Sequence, residues 1–100
     1  MTENLSIKIR LSIQRALLGA VPASLRAVSV DADEGKIYYR CIFNGEPSED
    51  EWELLSVAAT EIIADFPEPY IIEEEYLPIP NPKKMKHLKH LVFLRHEAEN

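Results

Sequence analysis

The chain has 100 residues, of which 46% are hydrophobic and 28% are charged. This balance is typical of one soluble globular domain, residues 1–100, rather than of a disordered chain. Its apolar runs are too short to cross a bilayer, and its first ten residues lack the pattern of a secretory signal. A single cysteine excludes an intrachain disulfide and fits a reducing compartment. We therefore expect a cytoplasmic protein without a membrane contact.

The net charge of −6 is concentrated in the middle of the chain. Residues 46–75 hold eleven acidic residues and no Lys or Arg, whereas residues 76–100 are net basic. An acidic block repels the phosphates of nucleic acids and speeds encounter with a cationic protein surface. The charge pattern favours a basic protein partner and no nucleic-acid partner. For any single acidic residue, the alternative is a solvated side chain that only keeps the protein soluble.

The first element, residues 5–18, carries two patterns. Its first half alternates apolar and polar residues as a strand does, whereas the apolar residues from Ile13 onward recur at helical spacing. Good helix formers follow Ile13, and Gly19 and Pro22 then supply a stop. The sequence predicts a helix over residues 5–18, with a strand as the alternative for its first turns.

Two short segments rich in strand-forming residues follow, and they predict an antiparallel hairpin. The strands span residues 25–31 and 36–43, and the turn between them ends on Gly35, which allows positive φ. In the second strand the odd-numbered residues share one face with Cys41. This placement predicts a buried and unreactive thiol.

The central segment, residues 47–67, has the clearest helix signals. Ser48 and Glu51 have the spacing of a capping box, and Pro67 ends the run because the residue before a proline leaves the α region. An apolar stripe recurs at steps of three and four residues, formed by Trp52, Leu55, Ala59, Ile62 and Phe66. As the first position of this stripe, Trp52 is predicted to lie in the core; exposed, it would be a binding hot spot.

The last third of the chain predicts two strands joined by a connector. Residues 70–77 have the composition of an edge strand, because charged and apolar residues mix on both faces. Three prolines then interrupt regular structure, so residues 78–90 are expected to form an exposed connector rich in Pro and Lys. Residues 91–95 form the last predicted strand, and residues 97–100 a frayed tail. The resulting order, α-β-β-α-β-β, suits an α+β fold with two helices on one face of a four-stranded, mostly antiparallel sheet.

The sequence contains no recognisable catalytic, cofactor or metal motif. His87, His90 and His96 lack the spacing of a closed metal site, and only three glycines are present, with no phosphate-binding loop. Glu73 and Glu75 fall on one strand face, but acid–base catalysis by them would also need a pocket. The lysines of the connector are few and lack interleaved aromatics. We therefore predict no enzyme activity, no cofactor and no metal.

Two stretches, ALLGAVPASLRAVSV and FNGEPSEDEWELLSVAATEIIADFP, resemble a group of small bacterial proteins. Its pattern is RALLGxVxxxLRAV, a hairpin, and then F-x-G-x-P-S-x-x-[ED] opening a long helix that ends in ADFP. These proteins are similar to immunity proteins of contact-dependent growth inhibition or polymorphic toxin systems. The resemblance covers residues 14–76 and rests on Arg15, Leu17, Leu18, Gly19, Val21, Leu25, Arg26, Phe43, Gly45, Pro47, Ser48, Asp65, Phe66 and Pro67. Most of these are core, cap and turn positions.

The resemblance implies a protein that binds a toxin domain from the same locus and blocks it. Many such toxins are nucleases with basic clefts, and an acidic helix face fits such a cleft because it occupies the place of phosphates. Electrostatic attraction would also raise the association rate. The predicted partner-binding residues are Glu49, Asp50, Glu53 and Glu61 on the central helix, with Glu73 and Glu75 on the next strand. The alternative is a non-enzymatic structural or regulatory module that self-associates through an exposed strand edge.

Overall fold

A computed structural model describes residues 2–97 of the chain, and the side chains from residue 4 onward. The elements are α1 (Thr2–Ala16), β1 (Leu25–Asp33), β2 (Lys36–Phe43), α2 (Glu49–Ala64), β3 (Ile71–Pro78) and β4 (His90–Leu94). The strands form one sheet in the order β3-β2-β1-β4. β1 pairs antiparallel with β2 and β4, whereas β2 and β3 run parallel. The predicted α+β class, element order and mostly antiparallel sheet are confirmed.

The first segment is helical from its first turn, so the strand alternative for that turn is wrong. Leu5, Ile9, Ile13 and Ala16 recur at steps of four, four and three, which places them on one helical face. Ile9, Ile13 and Ala16 are buried in the core. The apolar residues that made the pattern alternate, Ile7 and Leu11, lie on the exposed side of α1.

The hairpin of β1 and β2 has a tighter turn than the sequence predicts. β1 continues to Asp33, which pairs with Lys36, so only two residues connect the strands. Gly35 adopts a φ of +79°, a conformation that residues with a Cβ avoid. The odd-numbered residues of β2 are buried as predicted, and the Tyr39 hydroxyl donates to the Leu55 carbonyl at 2.8 Å. This face of the sheet therefore lies beneath the helices.

Helix α2 begins with the predicted capping box. The Glu51 amide donates to the Ser48 hydroxyl oxygen at 3.2 Å, and the Ser48 amide donates to the Glu51 carboxylate at 2.9 Å. The Ser24 hydroxyl also donates to Glu51 at 2.7 Å, which ties the helix start to the entry of β1. Hydrogen bonds from Ser48 and Ser24 lower the pKa of Glu51. The buried residues of α2 are Leu55, Ala58, Ala59 and Ile62.

The connector between β3 and β4 runs across the second face of the sheet. Arg26 donates to the carbonyls of Ile79 and Lys83 at 2.6 and 3.1 Å. The amide of Leu88 donates to the Ser29 hydroxyl oxygen at 2.9 Å. The lysines of the connector are exposed as predicted, but its backbone is tied to the sheet by polar side chains of β1.

The last described residue, Glu97, is anchored to the same buried arginine. Only 3% of Arg26 is exposed, and its Nε and Nη2 donate to the two carboxylate oxygens of Glu97 at 2.6 and 2.9 Å. Arg95 adds a bond at 3.0 Å. The sequence predicts a frayed tail over residues 97–100, but in the structure Glu97 is held by these hydrogen bonds. Residues 98–100 lie outside the described part of the chain. No periodic pattern in the sequence predicts the ion pair of Arg26 and Glu97, because these residues are 71 positions apart.

Neither of the two described helices is long and apolar enough to cross a membrane.

Candidate protein-binding surface

A groove of about 470 Å³ lies between the end of α1 and the outer side of α2. We call this space the helical groove. Its lining residues are Ala16, Leu18, Gly19, Ala20, Asp50, Glu53, Leu54, Val57, Ala58 and Glu61. Gly19 adopts a φ of +77° in the turn that ends α1 beside α2. The alanines of the groove are buried or nearly so, and their small side chains leave the space between the helices open.

The apolar walls of the helical groove are exposed. Leu18 is 79% exposed, Val57 52% and Leu54 41%. Asp50, Glu53 and Glu61 border these residues and are also exposed. An exposed apolar patch with a polar rim is a common feature of protein interaction sites. The groove therefore has the composition of a binding surface for an apolar segment carrying positive charge.

Four of the six predicted binding residues lie on α2 and carry uncompensated charge. Among the ion pairs of the described residues, none includes Glu49, Asp50, Glu53 or Glu61. All four side chains are exposed. Residues 46–75 contain no Lys or Arg that could neutralise them locally. Their full negative charge is therefore presented to solvent on one helix.

The other two predicted residues, Glu73 and Glu75, lie on the opposite face of the sheet. Glu75 is level with Arg40 in the pairing of β2 and β3, and Arg40 points away from the helices because its neighbour Tyr39 points toward them. Lys36 pairs with Glu73 at 3.5 Å, and Arg40 pairs with Glu75 at 2.8 Å. The six predicted residues therefore do not form one surface, and two of them are charge-paired.

The face of Glu73 and Glu75 also contains a hollow of about 500 Å³, bordered by Tyr38, Arg40 and Leu88. A small enzyme using these carboxylates would need such a space. Each carboxylate is, however, exposed and held by a cation, whereas a catalytic acid works from a desolvated position that favours its protonated form. The hollow therefore does not place Glu73 or Glu75 in the desolvated position that a catalytic acid needs.

The prediction that Trp52 lies in the core is wrong. Its side chain is 44% exposed and rests on Tyr76, with the ring centroids 5.5 Å apart. Tyr76 belongs to β3, which is one of the two edge strands of the sheet. A side chain that rests on an edge strand has no further strand to cover its outer side. Helical periodicity places Trp52 toward the sheet correctly, but it does not indicate which strand lies below.

Cys41 is fully buried, as predicted. Burial raises the pKa of its thiol to about 12, so the thiol is protonated and not nucleophilic at neutral pH. Within residues 2–97 no three His, Cys, Asp or Glu side chains are grouped so that they could hold a metal ion.

Two polar residues of the family-like pattern connect the helices. Arg15 on α1 forms an ion pair with Asp65, the C-cap residue of α2. The Ser12 hydroxyl donates to the same carboxylate at 2.6 Å. These contacts hold the end of α1 against the end of α2. They support the view that the pattern positions specify the fold.

In comparison with known families, the model described as MafI2 immunity protein matches residues 6–97. The match includes the connector and β4, which lie outside the shorter stretch of sequence resemblance. A search of curated proteins finds no match to the chain.

Proposed function

The chain belongs to the MafI2 immunity protein family, and we propose that it blocks its cognate toxin by binding, without catalysis, through the acidic surface of α2. Membership confirms the resemblance to small bacterial immunity proteins of polymorphic toxin systems. An immunity function against a toxin follows from the family. The surface, the kind of toxin and the cytoplasmic site of action are our proposals.

The proposal rests on the four unpaired carboxylates of α2, three of which, Asp50, Glu53 and Glu61, border the apolar helical groove. Apolar area supplies most of the binding free energy at protein interfaces, and Leu18, Leu54 and Val57 offer it already exposed. Charges at the rim contribute more to the association rate and to partner choice. The combination suits a tight inhibitor that must reach its target quickly.

The toxin that fits this surface best is a nuclease with a basic cleft. Such a cleft is built to attract phosphates, and carboxylates on a helix can take their place. Glu49, Asp50 and Glu53 lie within the first turns of α2 and concentrate negative charge there. Glu73 and Glu75 would join this contact only if the toxin wrapped around the β3 edge, because they lie behind the sheet.

Self-association through the β3 edge receives less support from the structure. β3 is an edge strand, but it carries Glu73, Glu74 and Glu75 in succession. Pairing two copies along this edge would bring like charges together, which is a common device against edge-to-edge association.

The test is protection of cells that express the cognate toxin domain. Asp50→Lys combined with Glu53→Lys should abolish or strongly reduce protection, because it places two cations at the groove. The matched control is Glu73→Lys combined with Glu75→Lys, which changes the net charge equally on the opposite face. Protection retained by the first variant, or lost equally in both, would contradict the proposed surface.

A further inference from the structure

Trp52 belongs to an aromatic stack that begins in the core and ends at the surface. Tyr76 lies edge-on to Tyr39, with the ring centroids 6.3 Å apart, and next to Phe43 at 6.4 Å. Tyr39 and Phe43 are buried, whereas Trp52 at the outer end is half-exposed. The indole therefore rests on a ring that is itself packed against buried aromatic residues, while part of the indole surface remains open to solvent.

A recess of about 290 Å³ opens beside this indole. We call this space the aromatic recess. Its lining residues are Glu46, Pro47, Ser48, Glu49, Trp52 and Tyr76. Glu46 and Glu49 are exposed, and neither takes part in an ion pair among the described residues. The recess therefore places an aromatic surface next to two free carboxylates.

Other aromatic rings of this protein already have a cation from the same chain. The Lys8 ammonium lies 4.9 Å from the centre of the Phe66 ring, and the Lys36 ammonium lies 5.8 Å from that of Tyr38. Within the described side chains no such cation lies over Trp52, although indole is the aromatic group that binds cations best. The aromatic recess thus has the features of a cation site that its own chain does not fill.

We propose that the aromatic recess binds the guanidinium of an arginine side chain on the toxin. A guanidinium is planar, so it can stack on the indole while its N–H groups donate to Glu46 or Glu49. A lysine ammonium is more strongly hydrated and cannot stack in this way. The proposal rests on the proposed function, because it assigns one contact of the same acidic surface.

The recess adjoins the helical groove along α2. Glu53, which borders the groove, directly follows Trp52 in the sequence. Glu49, which borders the recess, lies one helical turn before Glu53. A partner lying across the first half of α2 would therefore meet both. A half-exposed tryptophan at such a place is the residue type that most often dominates binding free energy at interfaces.

The test uses the fact that Trp52 is the only tryptophan in the chain. Its indole N–H resonance in the full-length protein therefore reports on the recess directly. We would titrate blocked tripeptides with central arginine, lysine or citrulline at constant ionic strength. We expect a saturable shift with arginine, affinity about threefold lower with lysine, and at least about tenfold lower with uncharged citrulline.

Matched variants separate recess binding from general attraction to an acidic protein. Glu46→Gln combined with Glu49→Gln should weaken arginine-peptide binding about tenfold or more. The control, Glu53→Gln combined with Glu61→Gln, removes the same charge from the groove and should reduce affinity less than about threefold. A non-saturable shift, equal binding of citrulline, or equal loss in both variants would overturn the proposal.

The toxin complex provides a second, independent readout. Trp52→Ala should weaken toxin binding by at least about tenfold, whereas Leu94→Ala, at an exposed position on β4, should have little effect. Unchanged toxin binding by Trp52→Ala would overturn the recess while leaving the immunity function intact. If the parent protein bound no toxin, the proposed function would fail, and the assignment of this arginine to the toxin would fail with it, even if the peptide titration succeeded.

Discussion

At the scale of single residues, Arg26 joins three parts of the chain that pattern analysis treats separately. It lies on β1, donates to two carbonyls of the connector, and forms a two-point pair with Glu97. A buried charge is tolerated only when it is paired and its donors are satisfied. Arg26 meets this condition through partners more than 50 residues away, so it fixes the connector and the segment after β4 against the sheet.

We expect Arg26→Met to lower the free energy of unfolding by about 3–5 kcal/mol, because breaking a buried ion pair leaves its partners unsatisfied. Urea unfolding followed by far-UV circular dichroism measures this change. Arg10→Met is the control, since Arg10 is exposed and makes only a local bond to Ser6. A loss below about 1 kcal/mol would show that Arg26 is not an anchor.

The same pair predicts a pH dependence. Hydrogen bonds from Arg26 and Arg95 lower the pKa of Glu97 to about 2, from an ordinary value of 4.5. Because the folded-state pKa is below the unfolded value, the pair stabilises the fold above about pH 4.5 and loses this effect as the pH falls toward 2.

Unfolding of the parent and of Glu97→Gln at several pH values between 6 and 2 tests this expectation. The stability advantage of the parent should be largest near pH 6 and should shrink steadily below about pH 4.5. An advantage that stays constant across this range would mean that the Glu97 carboxylate is not perturbed by folding.

At the scale of elements, α2 is the part that local chemistry specifies most completely. The capping box, the apolar stripe and the proline stop each depend on residues that are close neighbours in the sequence, so the sequence predicts the helix and its start correctly. Trp52 shows where this local information ends. Its exposure depends on the position of β3 at the edge of the sheet, which is decided by a parallel pairing with β2.

Ser48→Ala should lower the free energy of unfolding by about 1 kcal/mol, because the Glu51 amide loses its partner at the helix start. Thr60→Ala is the matched control, since it removes an exposed hydroxyl from the interior of the same helix and should change stability by less than about 0.5 kcal/mol. Equal effects of the two substitutions on thermal unfolding would contradict a specific role of the cap.

At the scale of the whole molecule, the two faces of the sheet carry different features. One bears the helices, the helical groove and the aromatic recess; the other bears the connector lysines and the charge-paired Glu73 and Glu75. The sequence shows that residues 46–75 are strongly acidic, but it cannot assign these acidic residues to one face or the other. That assignment depends on which alternate residues of β2 and β3 pack beneath α2, and this is a property of the tertiary structure.

If the exposed face of α2 meets a basic toxin surface, the rate constant of association with the toxin should depend on charge, and it can be measured at several salt concentrations. For the parent protein it should fall steeply as salt increases. Asp50→Lys combined with Glu53→Lys should lower it about tenfold or more at low salt and flatten its salt dependence. Glu73→Lys combined with Glu75→Lys should have a much smaller effect. A rate that is indifferent to salt, or equal slowing by both variants, would contradict the assignment of the toxin-binding surface to α2.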